Sequence, residues 1–308
     1  MAPTAPMTAA QRVDEARRRM GAGDWTGTRI VLDEARALSP DEPLLSDIAY
    51  LEAFSLEMEG SLAEALIRWD RLQAQHPSDD VAFRRAETLA QLSRYAEAEA
   101  ALESLGDPAA RSASDRAKLE LLRAMWQVQL GEVKPGLKAL HAALGRSPES
   151  TPAEFAARGH VVLTESATSA ASGIEFTGSD RKKKKALEQR ATLVKGVREE
   201  LVVLIQLGHN PSTLRGFEAA VQAYDDLGAA LLAETPPKKL TEAQLRVNRE
   251  LLGGRVQNVW ITASQLAGMA ADWALQVGYA SGDVAKLAAR KQELEARIAA
   301  LPLPTVRP

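Results

Sequence analysis

The chain contains no cysteine. That excludes disulfides, thiolate nucleophiles and cysteine-bound metals. It leaves the compartment open, since an oxidising envelope and an alanine- and arginine-rich cytoplasm both suit it. Aromatics are scarce, with five Trp, four Tyr and five Phe among 308 residues. Long apolar runs are absent as well. The most apolar stretch, Leu201 to Leu207, is far short of the roughly 20 residues that span a bilayer. Charge of one sign is also lacking. The net charge is −3; residues 1–150 carry 18 basic and 24 acidic side chains, and residues 151–308 carry 20 and 17. Neither half has a nucleic-acid-binding balance. The start, Met1-Ala2-Pro3-Thr4-Ala5-Pro6-Met7, has no basic region and no apolar core, so it is not a signal peptide as written. The expected location is therefore cytoplasmic, or the periplasm or cell envelope if a leader has been removed.

Catalytic motifs are missing too. The four histidines, His76, His141, His160 and His209, are scattered. Only His76 has carboxylates three and four residues on, Asp79 and Asp80, and Pro77 keeps them off a shared helical face. There is no His-Glu-x-x-His helix, no Gly-x-Ser-x-Gly elbow and no Walker phosphate loop. Gly21-Ala22-Gly23 with Gly27 has the wrong spacing for a dinucleotide loop, and no strand precedes it. Asp225 and Asp226 are adjacent, so on a helix they point about 100° apart and make a poor acid–base pair. The expectation is a non-enzymatic chain with no cofactor and no metal.

What the chain has in abundance is helix-forming alanine, leucine, arginine and glutamate. One stretch organises it, Gly60 to Pro77. Leu62, Ala65, Trp69 and Leu72 recur at spacings of three and four, which puts them on one helical face. Gly60 permits a tight turn into that helix, and Pro77 cannot continue it. The unit recurs. Gly23-Asp24-Trp25 leads to Thr28, Leu32, Ala35 and Pro40. Ser93-Arg94-Tyr95 leads to Ala98, Leu102 and Leu105, with Pro108 behind. Gly131-Glu132-Val133 leads to Gly136, Leu140, Ala143 and Pro148. The turn residues Gly23, Gly60, Ser93 and Gly131 lie 37, 33 and 38 residues apart. Each is preceded by a predicted helix, near 9–22, 44–59, 80–92 and 115–130. Each such helix carries a small residue: Ala16, Ala53, Ala86 or Ala124.

These paired helices at a period of about 34 residues resemble the tetratricopeptide repeat (TPR). The large residue that the family places early in each first helix is replaced here by Arg12, Ala49, Ala82 and Glu120. A plain bundle of helical hairpins is the alternative. The resemblance implies an all-α right-handed superhelix over residues 9–150, after a disordered segment 1–8. Its concave wall is lined by first helices: Val13, Arg17 and Met20; Tyr50, Phe54 and Glu57; Phe83 and Glu87; Leu121, Met125 and Val128. Of these, Tyr50, Phe54, Phe83, Leu121 and Met125 form an apolar and aromatic strip, and aromatic anchors in a groove are typical hot spots. Arg17, Glu57 and Glu87 set its polarity. Only Arg17 is cationic at the early concave positions, so the chain is unlike the TPR domains that clamp a C-terminal carboxylate. A stripe at helical spacing also serves as core, with the C-terminal helices filling the groove.

The C-terminal half is predicted as a connecting helix over 151–172, a loop at 173–179, a helical region over 180–301 and an extended tail, 302–308. Thr151-Pro152-Ala153-Glu154 reads as a capping box, and the loop is the expected boundary after the repeats. Arg181, Lys182, Lys183, Lys184 and Lys185 open the next helix against its macrodipole. They are either a solvated end or a patch for an acidic partner. A helix from Ser212 carries the stripe Phe217, Ala220, Val221, Tyr224, Leu227 and Leu231. Thr235-Pro236-Pro237 breaks it, and Thr241 caps the next helix, expected to be interrupted at Gly253-Gly254. Gly216, Gly228 and Gly268 suit close helix packing. These longer helices form a bundle or degenerate repeats. Residues 214–231 and 236–252 are similar to C-terminal regions of large TPR proteins of bacterial cell envelopes, such as those of gliding-motility machinery. The functional expectation is a protein–protein interaction scaffold that holds a partner's peptide or helix in the groove, without nucleic acid and without an integral membrane segment. The alternative is a structural component of a bacterial assembly whose groove its own C-terminal helices fill.

Overall fold

The protein is described from a computed structural model covering residues 7–103, 105, 111–146, 151–234, 236 and 240–301. It is all-α. Contacts divide it into two compact units, Met1–Thr151 with Gly278–Ser281, and Pro152–Val277 with Gly282–Pro308.

The first unit is a series of TPR-like helical hairpins. Its helices are α1 (Ala9–Gly21), α2 (Trp25–Ala37), α3 (Glu42–Glu59), α4 (Leu62–Gln75), α5 (Asp79–Gln91), α6 (Tyr95–Glu103), α7 (Ala113–Gln129) and α8 (Val133–Arg146). Partners pair as α1 with α2, α3 with α4, α5 with α6 and α7 with α8, and α2 also packs on α3 and α4 on α5. The turns are what the repeat requires. Gly23, Gly60 and Gly131 have φ of +77°, +89° and +91°, and Ser93 at the equivalent place has +62°. Left-handed backbone reverses the chain within two or three residues, and glycine enters it without a Cβ penalty. Ala16, Ala53, Ala86 and Ala124 are all buried, so each first helix meets its partner across a methyl group. Gly136 serves α8 in the same way, since a Cβ there would come within 2.7 Å of Val128.

The second helices bury the expected stripe: Leu32 and Ala35, Ala65, Trp69 and Leu72, Ala98 and Leu102, Leu140 and Ala143. Thr8, placed in the N-terminal segment from sequence, caps α1 through a reciprocal capping box with Gln11. The closing prolines Pro108 and Pro148, the pair Thr235 and Pro237, and the tail 302–308 lie outside the described residues.

The second unit holds α9 (Ala153–Ser172), α10 (Asp180–Leu207), α11 (Asn210–Leu232), α12 (Glu242–Val277) and α13 (Gly282–Ala299). Helix α9 packs on both α10 and α11. The unit boundary therefore falls at Thr151, ahead of α9, and not at the 173–179 loop. The cap of α9 is Pro152, and no side chain caps it, so the capping box predicted from Thr151 and Glu154 does not form. Thr241 does form one, exchanging bonds with Gln244. Helix α12 passes Gly253-Gly254 without a break. Each glycine costs a helix about 1 kcal/mol, and Val256, Trp260, Ala263 and Ala267, packed at helical spacing, outweigh that.

Helix α11 is the centre of this unit and touches α9, α10, α12 and α13. At Gly228 a Cβ would sit 2.4 Å from the Trp260 indole nitrogen, which donates to the Asp225 carbonyl at 3.3 Å. At Gly216 a Cβ would meet the tip of Leu204. Gly268, by contrast, meets only the Lys291 stem at ordinary distance. The two adjacent aspartates diverge as expected. Asp225 is buried and receives Arg290 and Arg297, the latter at 3.1 Å. Asp226 faces Ser172 and Gln222, both at 2.6 Å.

Two outcomes follow from these backbone positions. Ser93→Gly relieves the left-handed strain and raises stability by about 0.5–1 kcal/mol, read as a higher midpoint in chemical denaturation. Gly228→Ala forces Trp260 to move and costs about 1–3 kcal/mol, more than Gly216→Ala, where a flexible leucine tip can yield. Equal costs at the two glycines would contradict this packing.

Candidate functional site

The first-helix face of the repeat unit is built from successive helices that touch at corresponding places. Asp47, Asp80 and Lys118 each lie six residues before the small alanine of their helix. Each is met by the preceding first helix. The Arg17 guanidinium bonds Asp47 at 3.0 Å, the Tyr50 hydroxyl donates to Asp80 at 2.7 Å, and the Lys118 ammonium lies 5.2 Å from the Phe83 ring centroid. Lys118 also reaches Asp80 at 3.3 Å. Burial raises the Tyr50 phenol well above its ordinary range, and the Asp80 carboxylate pushes the same way, against Arg84. The hydroxyl thus stays protonated and donates across from α3 to α5.

Beneath this row lies a desolvated charge cluster. Arg84 on α5 is buried, with its guanidinium carbon 4.6 Å from the centroid of the Phe54 ring. Glu57 approaches Arg84 at 3.8 Å and Glu87 at 3.9 Å. Glu57 also accepts from the Trp69 indole at 3.2 Å. Trp69 in turn meets the Tyr50 ring edge-on at 5.1 Å. One group thereby joins residues of α3, α4 and α5.

The predicted residues are distributed unevenly about this group. It contains Tyr50, Phe54, Glu57 and Glu87. Arg17 is exposed and is held elsewhere, between Asp14 at 3.1 Å and Asp47. Phe83 and Leu121 are 0% exposed, Met125 5%, Glu57 4% and Glu87 5%. The surface of the strip is therefore Arg17 with the half-buried Tyr50 and Phe54. Two members escaped the sequence reading. Trp69 was placed only in the second-helix stripe. Arg84 adjoins Phe83 outside the concave positions, and its one sequence signal is the i,i+3 spacing to Glu87.

The basic run lies on the first turns of α10. Lys183 pairs with Glu234 at 3.5 Å and Lys184 with Glu188 at 3.9 Å. Both line a pocket of about 800 Å³ between α10, α11 and α12, with Phe176, Leu227, Leu231 and Arg255 among its walls. Arg181, Lys182 and Lys185 are exposed.

The histidines stay apart. His76 faces Glu42 at 3.3 Å, not the Asp79 and Asp80 that follow it in sequence; His160 faces Glu200 at 2.5 Å and His209 faces Ser212 at 2.8 Å. Among the described residues no group of three or more His, Asp or Glu is placed to hold a metal ion, and no helix is long and apolar enough to cross a membrane.

No family model and no curated protein matches the sequence. Among solved structures, a tetratricopeptide repeat protein from Parabacteroides merdae is similar at a TM-score of 0.37 and 14% identity, over 92% of this chain and 98% of that one. The hairpin repeat itself is defined by the left-handed turns and the pairwise packing of α1 to α8.

The cluster makes a direct prediction. Trp69→Phe removes the donor to Glu57 and leaves a small cavity, so it should cost about 1–3 kcal/mol, whereas Trp69→Ala should cost about 3–5 kcal/mol. Denaturant titrations of both variants measure the difference. A neutral Trp69→Phe would contradict both the indole bond and the tight packing around it.

Proposed function

We propose that the repeat unit is a non-catalytic scaffold that takes a peptide or helix of a protein partner along its first-helix face. Arg17, Tyr50 and Phe54 touch the partner. Phe83, Leu121 and Met125 form the apolar support beneath, and Glu57 and Glu87 set the polarity. The observation that carries this reading is the half-buried Phe54 held over a desolvated Arg84 between two buried carboxylates. Burying such charges is expensive, and a well-packed apolar cluster often does as well or better for stability alone. In this reading the cluster holds the ring, and the part of Phe54 that remains accessible meets the ligand. An aromatic anchor fixed before binding loses little further freedom, which favours affinity. Binding is then driven by burial of apolar surface.

The test is site-directed photocrosslinking in the native cell, with benzoylphenylalanine replacing Phe54 or, as control, the exposed Ile67 of α4. The expected result is a discrete protein adduct at position 54 and none at 67. Phe54→Ala should weaken capture of that partner about tenfold or more at unchanged helicity. Adducts at 67 but not 54 would move the interface to the second-helix face.

A further inference from the structure

We infer that the second-helix side of the repeat unit carries an anion site that takes a phosphate monoester. It is independent of the first-helix reading, because it uses other side chains. A pocket of about 590 Å³ opens between α3 and α4, with the end of α2 at its edge. Arg68, Arg71, Leu72 and Gln75 face it from α4, at helical spacings of three, four and seven. Helix α3 contributes Glu42, Ser46 and Glu52, among others.

The charges in this pocket do not balance. Arg36 is committed to Glu52, at 2.8 Å, and that carboxylate is itself buried. His76 is committed to Glu42, at 3.3 Å. No acidic residue of the lining remains for Arg68 and Arg71. Asp70, which lies between them in sequence, turns to Arg85 at 2.5 Å. Two arginines three residues apart therefore line the same space, with both acidic residues of the lining already paired elsewhere. The buried Glu52 carboxylate, paired with the exposed Arg36, closes one side of that space.

The chemistry of the ligand follows from the donor set. Two planar forks recognise a group with several acceptor oxygens and more than one negative charge, and phosphate fits that geometry better than a single carboxylate. The Ser46 hydroxyl is a further donor in the lining, and Leu45, Ala49 and Leu72 supply an apolar wall for the ester's organic part. The same phosphate chemistry has two sources, a free small monoester or a phosphorylated side chain. The pocket volume admits either.

The experiment is calorimetric titration of the full chain with two probes, glycerol phosphate and a phosphoserine tripeptide blocked at both ends. Inorganic phosphate serves as competitor. Saturable binding of either probe, displaced by phosphate and weakened by added salt, is expected. Arg68→Gln with Arg71→Gln should reduce affinity at least about tenfold while the melting temperature holds, since both side chains are exposed. Arg198→Gln, on α10 in the other unit, should change nothing. A preference for the tripeptide would assign the phosphorylated side chain, and a preference for glycerol phosphate the free ester. Absence of saturable binding by both probes would overturn the proposal. So would equal affinity in the doubly substituted chain, or an equal loss in the Arg198 variant.

Discussion

Everything in the repeat unit depends on how closely two helices of a hairpin can approach. Four buried alanines, Ala16, Ala53, Ala86 and Ala124, set that distance, and four left-handed turns return the chain in time to use it. The contact is worth little per residue. Its importance is geometric, because it decides which side chains of the first helices end up facing the next hairpin. With helices this close, Tyr50 reaches Asp80 and Phe83 reaches Lys118. The same register brings Arg84 under Phe54. A larger residue at the alanine positions would push the helices apart and dissolve both relationships.

The charged cluster of Glu57, Arg84 and Glu87 is buried where α3 and α5 meet. Its members are polar groups in a place where the rest of the stack is apolar. Cation–π contact and ion pairing offset part of the desolvation, and Trp69 adds a neutral donor. The Arg84 guanidinium carbon, 4.6 Å from the ring centroid, favours this position of Phe54 through a cation–π contact. The second unit solves a similar problem differently. There Asp225 is enclosed by Arg290 and Arg297 and by the Trp260 indole against its backbone, which ties α11, α12 and α13 together.

Much of this was legible in the sequence where the signal is local. Turn glycines, the small residue per first helix and the spacing of Leu62, Ala65, Trp69 and Leu72 each report on neighbours within one hairpin. The 28-residue α10 and the cap at Thr241 were likewise readable from nearby residues. What sequence did not reveal is tertiary. Arg84 gained its role from α3, and nothing in its own helix announces Phe54. The His76 partner is Glu42, more than thirty residues away, not the adjacent aspartates. The end of the repeats at 150 is readable from their period, but that α9 belongs with the C-terminal helices and is not a separate connector depends on its packing against α10 and α11. The glycine pair in α12 suggested a break because propensity was weighed without the apolar face that follows it.

The central claim is that the buried charges under Phe54 are kept for binding and not for stability. Replacing them with apolar or neutral groups separates the two directly, using Glu57→Gln, Arg84→Met and Glu87→Leu in one chain. The glutamine retains an acceptor for Trp69. The measurement is the melting temperature of this variant together with its capture of the partner that crosslinks at position 54. The account predicts a melting temperature equal to or above that of the parent and a clear loss of capture. A variant that captures as well as the parent at the same stability would contradict it.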